Sequence, residues 1–76
     1  MKTRNYRVIF RKEPEGGFTA IVPSLPGCIT YGENLDEAIA MVHEAIELYI
    51  DSLIAHKEEI PSDKETFEYT INLEYA

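Results

Sequence analysis

Asn34-Leu35-Asp36-Glu37-Ala38-Ile39-Ala40-Met41-Val42-His43-Glu44-Ala45-Ile46-Glu47-Leu48-Tyr49-Ile50-Asp51-Ser52-Leu53 holds the helical periodicity of this chain, and its two faces decide the fold. Leu35, Ala38, Ile39, Val42, Ala45, Ile46, Tyr49, Ile50 and Leu53 recur at i, i+3, i+4 and i+7, which sets them on one stripe of about 140°. Such a helix must lay one side on an apolar surface. Asn34 suits an N-cap, and Glu37 three residues later completes an Asn variant of the capping box, so the helix is predicted to begin at Leu35 and to run to about His56. Opposite the stripe, Glu37, Glu44, Glu47 and Asp51 form a line of carboxylates. Met41 and Leu48 fall on its flank and are candidate contact residues.

The surface that receives the helix is read outward from it. In residues 4–12, Tyr6, Val8 and Phe10 alternate with Arg7 and Arg11, the pattern of a half-buried strand. Glu13-Pro14-Glu15-Gly16-Gly17 reverses the chain, and Phe18, Ala20 and Val22 alternate again, so the two strands form a hairpin. Ser24-Leu25-Pro26-Gly27 is a second turn, with Pro26 suited to position i+1 and Gly27 to position i+2 of type II. A short third strand spans residues 28–31. Its phase stays open, since Cys28 and Thr30 or Ile29 and Tyr31 can equally face inward.

Beyond the helix, residues 57–65 read as a linker containing Pro61. Phe67, Tyr69, Ile71, Leu73 and Tyr75 then alternate without exception against Glu68, Thr70, Asn72 and Glu74, the signature of a fourth strand. The expected fold is a two-layer α+β domain of order β-β-β-α-β, with one helix packed on a four-stranded mixed sheet. A right-handed crossover sets the last strand parallel to and beside the first, in the order 3-2-1-4. That order is the opening part of an RNase H-like fold.

A chain of 76 residues makes one domain and hides only about 60% of the surface it exposes when unfolded, so self-association or a partner is expected. The net charge of −7 is uneven: residues 1–12 carry Lys2, Arg4, Arg7, Arg11 and Lys12 and no acid, whereas residues 13–76 carry all 14 acids against Lys57 and Lys64. The body is therefore anionic, which disfavours direct nucleic-acid binding and favours a basic protein partner. The basic first strand reads as a local ion-pairing surface. A single cysteine, Cys28, excludes an internal disulfide, the first six residues lack the apolar run of a signal peptide, and no stretch approaches the ~20 apolar residues of a membrane span. A cytoplasmic location is expected.

Catalytic chemistry needs converging groups, and the spacing supplies few. His43 and Glu47 stand at i, i+4, but His56 is about 3.6 turns further along and no cysteine pair exists, so neither a metal site nor a cofactor is expected. Cys28 reads as a small buried apolar residue, and Gly16-Gly17 precedes a strand rather than the helix that a phosphate loop requires. The acids of the last strand, Glu68 and Glu74, have no partners on the first, which offers Arg7 and Arg11. No catalytic residue is assigned.

The segment Gly16-Gly17-Phe18, followed by Pro23-Ser24-Leu25-Pro26-Gly27-Cys28, then Gly32 and the capped helix start Asp36-Glu37-Ala38, resembles the HicB antitoxin family. That resemblance implies a single partial RNase H-like domain over residues 1–76 that lacks catalytic acids and that binds and occludes HicA. HicA is a small basic ribonuclease toxin with a double-stranded-RNA-binding-like fold and a catalytic histidine. Many HicB proteins also carry a C-terminal helix-turn-helix or ribbon-helix-helix that binds operator DNA, and no such element is expected within these residues. The toxin-binding surface is expected at the helix start and outer face, at Glu33, Asp36, Glu37, Glu44, Glu47 and Asp51. Met41, Leu48 and the open sheet edges are the expected contacts if the domain is instead an orphan that forms homo-oligomers and binds another protein or a small ligand.

Overall fold

A computed structural model of the chain, described over residues 3–75, contains β1 (Ile9–Lys12), β2 (Phe18–Ile21), β3 (Ile29–Gly32) and α1 (Leu35–Ala55). The three strands form one antiparallel sheet in the order β1-β2-β3. Its register sets Phe10 opposite Ala20 and Ala20 opposite Thr30, with Ile9, Ile21 and Ile29 in the adjacent row. Because side chains alternate across a strand, Phe10, Ala20 and Thr30 share the face toward the helix, and Ile9, Ile21 and Ile29 share the other. This settles the phase of the third strand. Cys28 is buried and Thr30 half-buried, while Ile29 and Tyr31 are exposed.

Both turns follow their chemistry. The hairpin loop closes with Gly16 N–H donating to Glu13 O and Glu13 N–H donating to Gly17 O, each at 3.0 Å. At the second turn Cys28 N–H donates to Leu25 O at 2.9 Å across Pro26 and Gly27, and Gly27 has φ +84°, the value that position i+2 of a type II turn demands.

The helix begins where its cap predicts. Asn34 Oδ1 accepts from Glu37 N–H at 2.8 Å, and the Glu37 carboxylate accepts in return from Glu33 N–H at 2.6 Å, one residue earlier than an ideal capping box. At the other end Lys57 adopts φ 57° while Glu58 N–H reaches Leu53 O and Lys57 N–H reaches Ile54 O, a Schellman closure. The helix packs on β3 and β2 and does not reach the backbone of β1. The buried core is Ala20, Val22, Leu25, Cys28, Ala38 and Val42, with Tyr6, Val8, Phe10, Ala45, Ile46 and Tyr49 partly buried against it. Tyr49 fastens the helix to the second turn by donating to Pro26 O at 2.8 Å.

The expected four-stranded mixed sheet is not found: residues 67–75 pair with nothing among the described residues, and the order 3-2-1-4 is represented by its first three strands alone. The physical reason is that strict alternation specifies an extended segment with two unlike faces but does not specify the edge that completes it. What precedes the segment is held firmly. Asp63 is only 11% exposed at its side chain and accepts from Arg7 N–H at 3.2 Å and from the Ser24 hydroxyl at 2.5 Å. The Arg7 guanidinium donates to Thr66 O at 2.6 Å, and the Tyr6 hydroxyl donates to Pro61 O at 2.6 Å. The stretch read as a linker is thus clamped against residues 6, 7 and 24.

Two substitutions probe these constraints. A Cβ on Gly32 would stand 2.3 Å from Ala38 N and 2.5 Å from Ala38 Cα, inside the first helical turn. Gly32→Ala is therefore expected to destabilise the fold by about 1–3 kcal/mol in urea denaturation, and an unchanged midpoint would show that the helix does not press on β3 there. Asp63→Ala strips acceptors from a backbone amide and a hydroxyl, with an expected cost of about 1–3 kcal/mol and faster proteolysis within residues 57–66. Asp63→Asn keeps one acceptor oxygen and should lose less. Equal behaviour of both variants and the parent would remove the clamp from the account.

Candidate protein-interaction surfaces

The outer face of α1 presents the predicted carboxylates to solvent. Asp36, Glu37, Glu44, Glu47 and Asp51 are all exposed, and Glu33 adjoins them just before the helix. The structure brings them onto one side of the molecule, but two are already engaged. Glu37 caps the helix start, and Glu47 lies 3.6 Å from His43 Nδ1. Among the described residues no basic side chain lies within ion-pair distance of Glu33, Asp36, Glu44 or Asp51. With water and few counter-charges around them, these groups project a negative field outward. Met41 and Leu48 interrupt that field, 42% and 64% exposed, on the flank beside Glu37 and Glu44. Seven residues apart on a helix, they stand about 10 Å from each other on nearly the same line.

The opposite flank is a second surface. Ile39 and Ile54 are exposed and Ile46 and Ile50 half-buried, because the helix leans toward β3 and leaves this part of its stripe without a strand beneath it. Between these side chains and Val8 and Phe10 lies an open groove of ≈ 1300 Å³, whose wall also takes in Glu44, Glu47, Leu48 and Asp51 from the carboxylate side of the helix. It runs beside β1, whose outer edge has no hydrogen-bonded strand neighbour among the described residues. The sheet face turned away from the helix is a third surface, with Ile9, Ile21 and Ile29 in one row across the strands.

Of the cations expected to make the first strand an ion-pairing surface, Arg7, just ahead of β1, is the one in ion pairs among the described residues. Arg7 Nε lies 3.7 Å from both Asp63 and Glu68, so its charge is spent locally. Burial pushes the Cys28 thiol up from its ordinary range, which keeps it protonated and a poor nucleophile near neutral pH. Among the described residues no group of three or more His, Cys, Asp or Glu converges as a metal site would require, and no helix is long and apolar enough to cross a membrane.

Arg7, Ser24 and Asp63 were not singled out as partners by the sequence, since they meet across separations of 39 and 56 residues. The groove left one sequence signal. The apolar stripe of the helix is wider than the contact that two strands provide.

Comparison with known proteins supplies the context for these surfaces. The family described as "HicB_like antitoxin of bacterial toxin-antitoxin system" matches residues 6–76. A UPF0150 protein of Synechocystis is 48% identical over 59 residues, covering 78% of this chain and 75% of that protein. A UPF0150 protein of Thermoplasma acidophilum is 47% identical over 58 residues, covering 76% and 84%. A third, from Helicobacter pylori, is 35% identical over 65 residues, covering 86% and 90%.

Proposed function

This chain belongs to the HicB-like antitoxin family, and from that premise we propose that it is the antitoxin of a type II toxin-antitoxin system that binds and neutralises a basic, mRNA-cleaving HicA-type ribonuclease in the cytoplasm. The observation that carries this reading is the exposed carboxylate face of α1. A ribonuclease must present cationic side chains to RNA phosphates, and a rigid anionic helix can occupy the same surface. In this reading Glu33, Asp36, Glu37, Glu44, Glu47 and Asp51 contact the toxin. The role is one of binding and occlusion without catalysis by this chain, without a cofactor, and without its own contacts to nucleic acid or membrane.

A second reading has its own support. The exposed Met41 and Leu48 are proposed contacts to a second copy, as in an orphan HicB-like homo-oligomer whose partner is another protein or a small ligand. The two readings divide on the neighbouring reading frame: a short, basic, histidine-containing protein encoded there favours the antitoxin.

With such a toxin in hand, equimolar addition of this protein should abolish RNA cleavage. Glu44→Lys/Glu47→Lys/Asp51→Lys, which leaves the capping Glu37 intact, should weaken inhibition at least tenfold, or about 1.4 kcal/mol, and the loss should shrink as salt rises. Unaltered inhibition by the triple variant would move the toxin to another surface. Cleavage undiminished by a molar excess of the folded parent protein would reject the antitoxin reading itself.

A further inference from the structure

Phe67, Tyr69, Ile71, Leu73 and Tyr75 are between 75% and 88% exposed, a concentration of bare apolar surface that marks interaction sites and that monomers rarely carry. The same molecule offers an unpaired β1 edge beside the open groove that Val8, Phe10, Ile39 and Ile46 help to line. We propose that residues 67–75 are an exchange strand: in a twofold dimer they pair with the β1 edge of a second copy and lay their apolar face in that copy's groove, and the second copy does the same in return.

Length, charge and area agree with this occupant. Nine extended residues span about 30 Å, close to the roughly 31 Å of the 21-residue helix that walls the groove, so the segment can pair with Ile9–Lys12 and run on along the groove beyond that strand. When the odd-numbered apolar residues face the groove, Glu74 falls on the other sheet face, where β1 carries Arg11, and away from Glu44, Glu47 and Asp51 at the groove wall, while Arg7 stays engaged with Asp63 and Glu68 of its own copy. This holds for either strand direction, because the period of two is unchanged on reversal. Three aromatic and two aliphatic side chains per tail, at on the order of 150 Å² each, carry two tails to roughly the 1,600 Å² of a standard stable interface. The chain's own tail does not fill its own groove. Its root is clamped by Arg7, Ser24 and Tyr6, and beyond Glu68 its apolar side chains stay at least 75% exposed.

The groove wall also includes Glu44, Glu47, Leu48 and Asp51, so the seated tail adjoins the carboxylate face, and the exchange is read on this chain alone, apart from what that face binds. Sedimentation of the full chain at about 50 μM, a concentration far above the Kd expected of a standard-sized interface, should show a dimer that persists at high salt. Ile71→Asp/Leu73→Asp changes side chains outside the core, so it should sediment as a monomer that keeps its helical circular dichroism. Ile39→Asp/Ile54→Asp, at two exposed groove positions, should do the same, and the tail variant decides the matter if this one loses its helix. Met41→Asp, outside the groove lining, should remain dimeric. A monomeric parent protein, a tail variant that stays dimeric, or a dimer abolished instead by the Met41 change would overturn the proposal.

Discussion

One helix cannot cover a sheet of this width. An α-helix with its side chains is about 10–12 Å across and neighbouring strands lie about 4.8 Å apart, so a single helix roofs about two strands. Here α1 lies over β3 and β2, drawn there by the close approach of Gly32 to Ala38 and by the bond from Tyr49 to Pro26. Everything on the β1 side follows. The isoleucines on that flank of the helix lose their floor, Val8 and Phe10 lose their roof, and a groove opens beside a strand edge. In a chain of 76 residues with a small buried core, uncovered apolar area of this kind is a large fraction of what is available to stabilise the fold.

The charges are arranged around the same asymmetry. The basic residues collect at the start of the chain, where Arg7 is occupied with Asp63, Thr66 and Glu68, and the acids face outward from the helix. A field built from exposed carboxylates contributes little to folding, because water screens it, but it acts at a distance on an incoming cationic partner. Membership of the HicB-like antitoxin family gives that field a natural target in a toxin. The two surfaces adjoin on one helix, since Glu44, Glu47 and Asp51 also form part of the groove wall.

Local physics was legible in the residues, and distant partnership was not. Asn34 and Glu37 marked the helix start because their hydrogen bonds close within four residues, and Pro26-Gly27 marked a turn through the backbone angles those residues permit. The phases of the first two strands followed from Tyr6, Val8, Phe10, Phe18, Ala20 and Val22, where the polar alternates Arg7, Arg11 and Thr19 outweighed Ile9 and Ile21 in marking the inward face. The third strand was opaque because Ile29 and Tyr31 are as apolar as Cys28 and Thr30, and its phase is set by pairing with β2 and by the need for a side-chain-free residue under Ala38. Asp63 looked like an ordinary loop acid, since its partners lie at the other end of the chain. The last segment was legible as an extended strand in its alternation and illegible in its neighbour. Of the predicted carboxylates, all are exposed as expected, yet the capping work of Glu37 and the His43 contact of Glu47 became visible only with the side chains in place.

Hydrogen–deuterium exchange across a protein dilution series tests the central claim most directly, because it reports whether backbone amides of residues 67–75 have found a strand neighbour and whether that neighbour comes from another molecule. Protection of these amides together with those of residues 9–12 at high concentration, lost in both segments on dilution, is the predicted result. Amides of residues 67–75 that exchange freely at every concentration, or that stay protected however dilute the protein, would contradict the account.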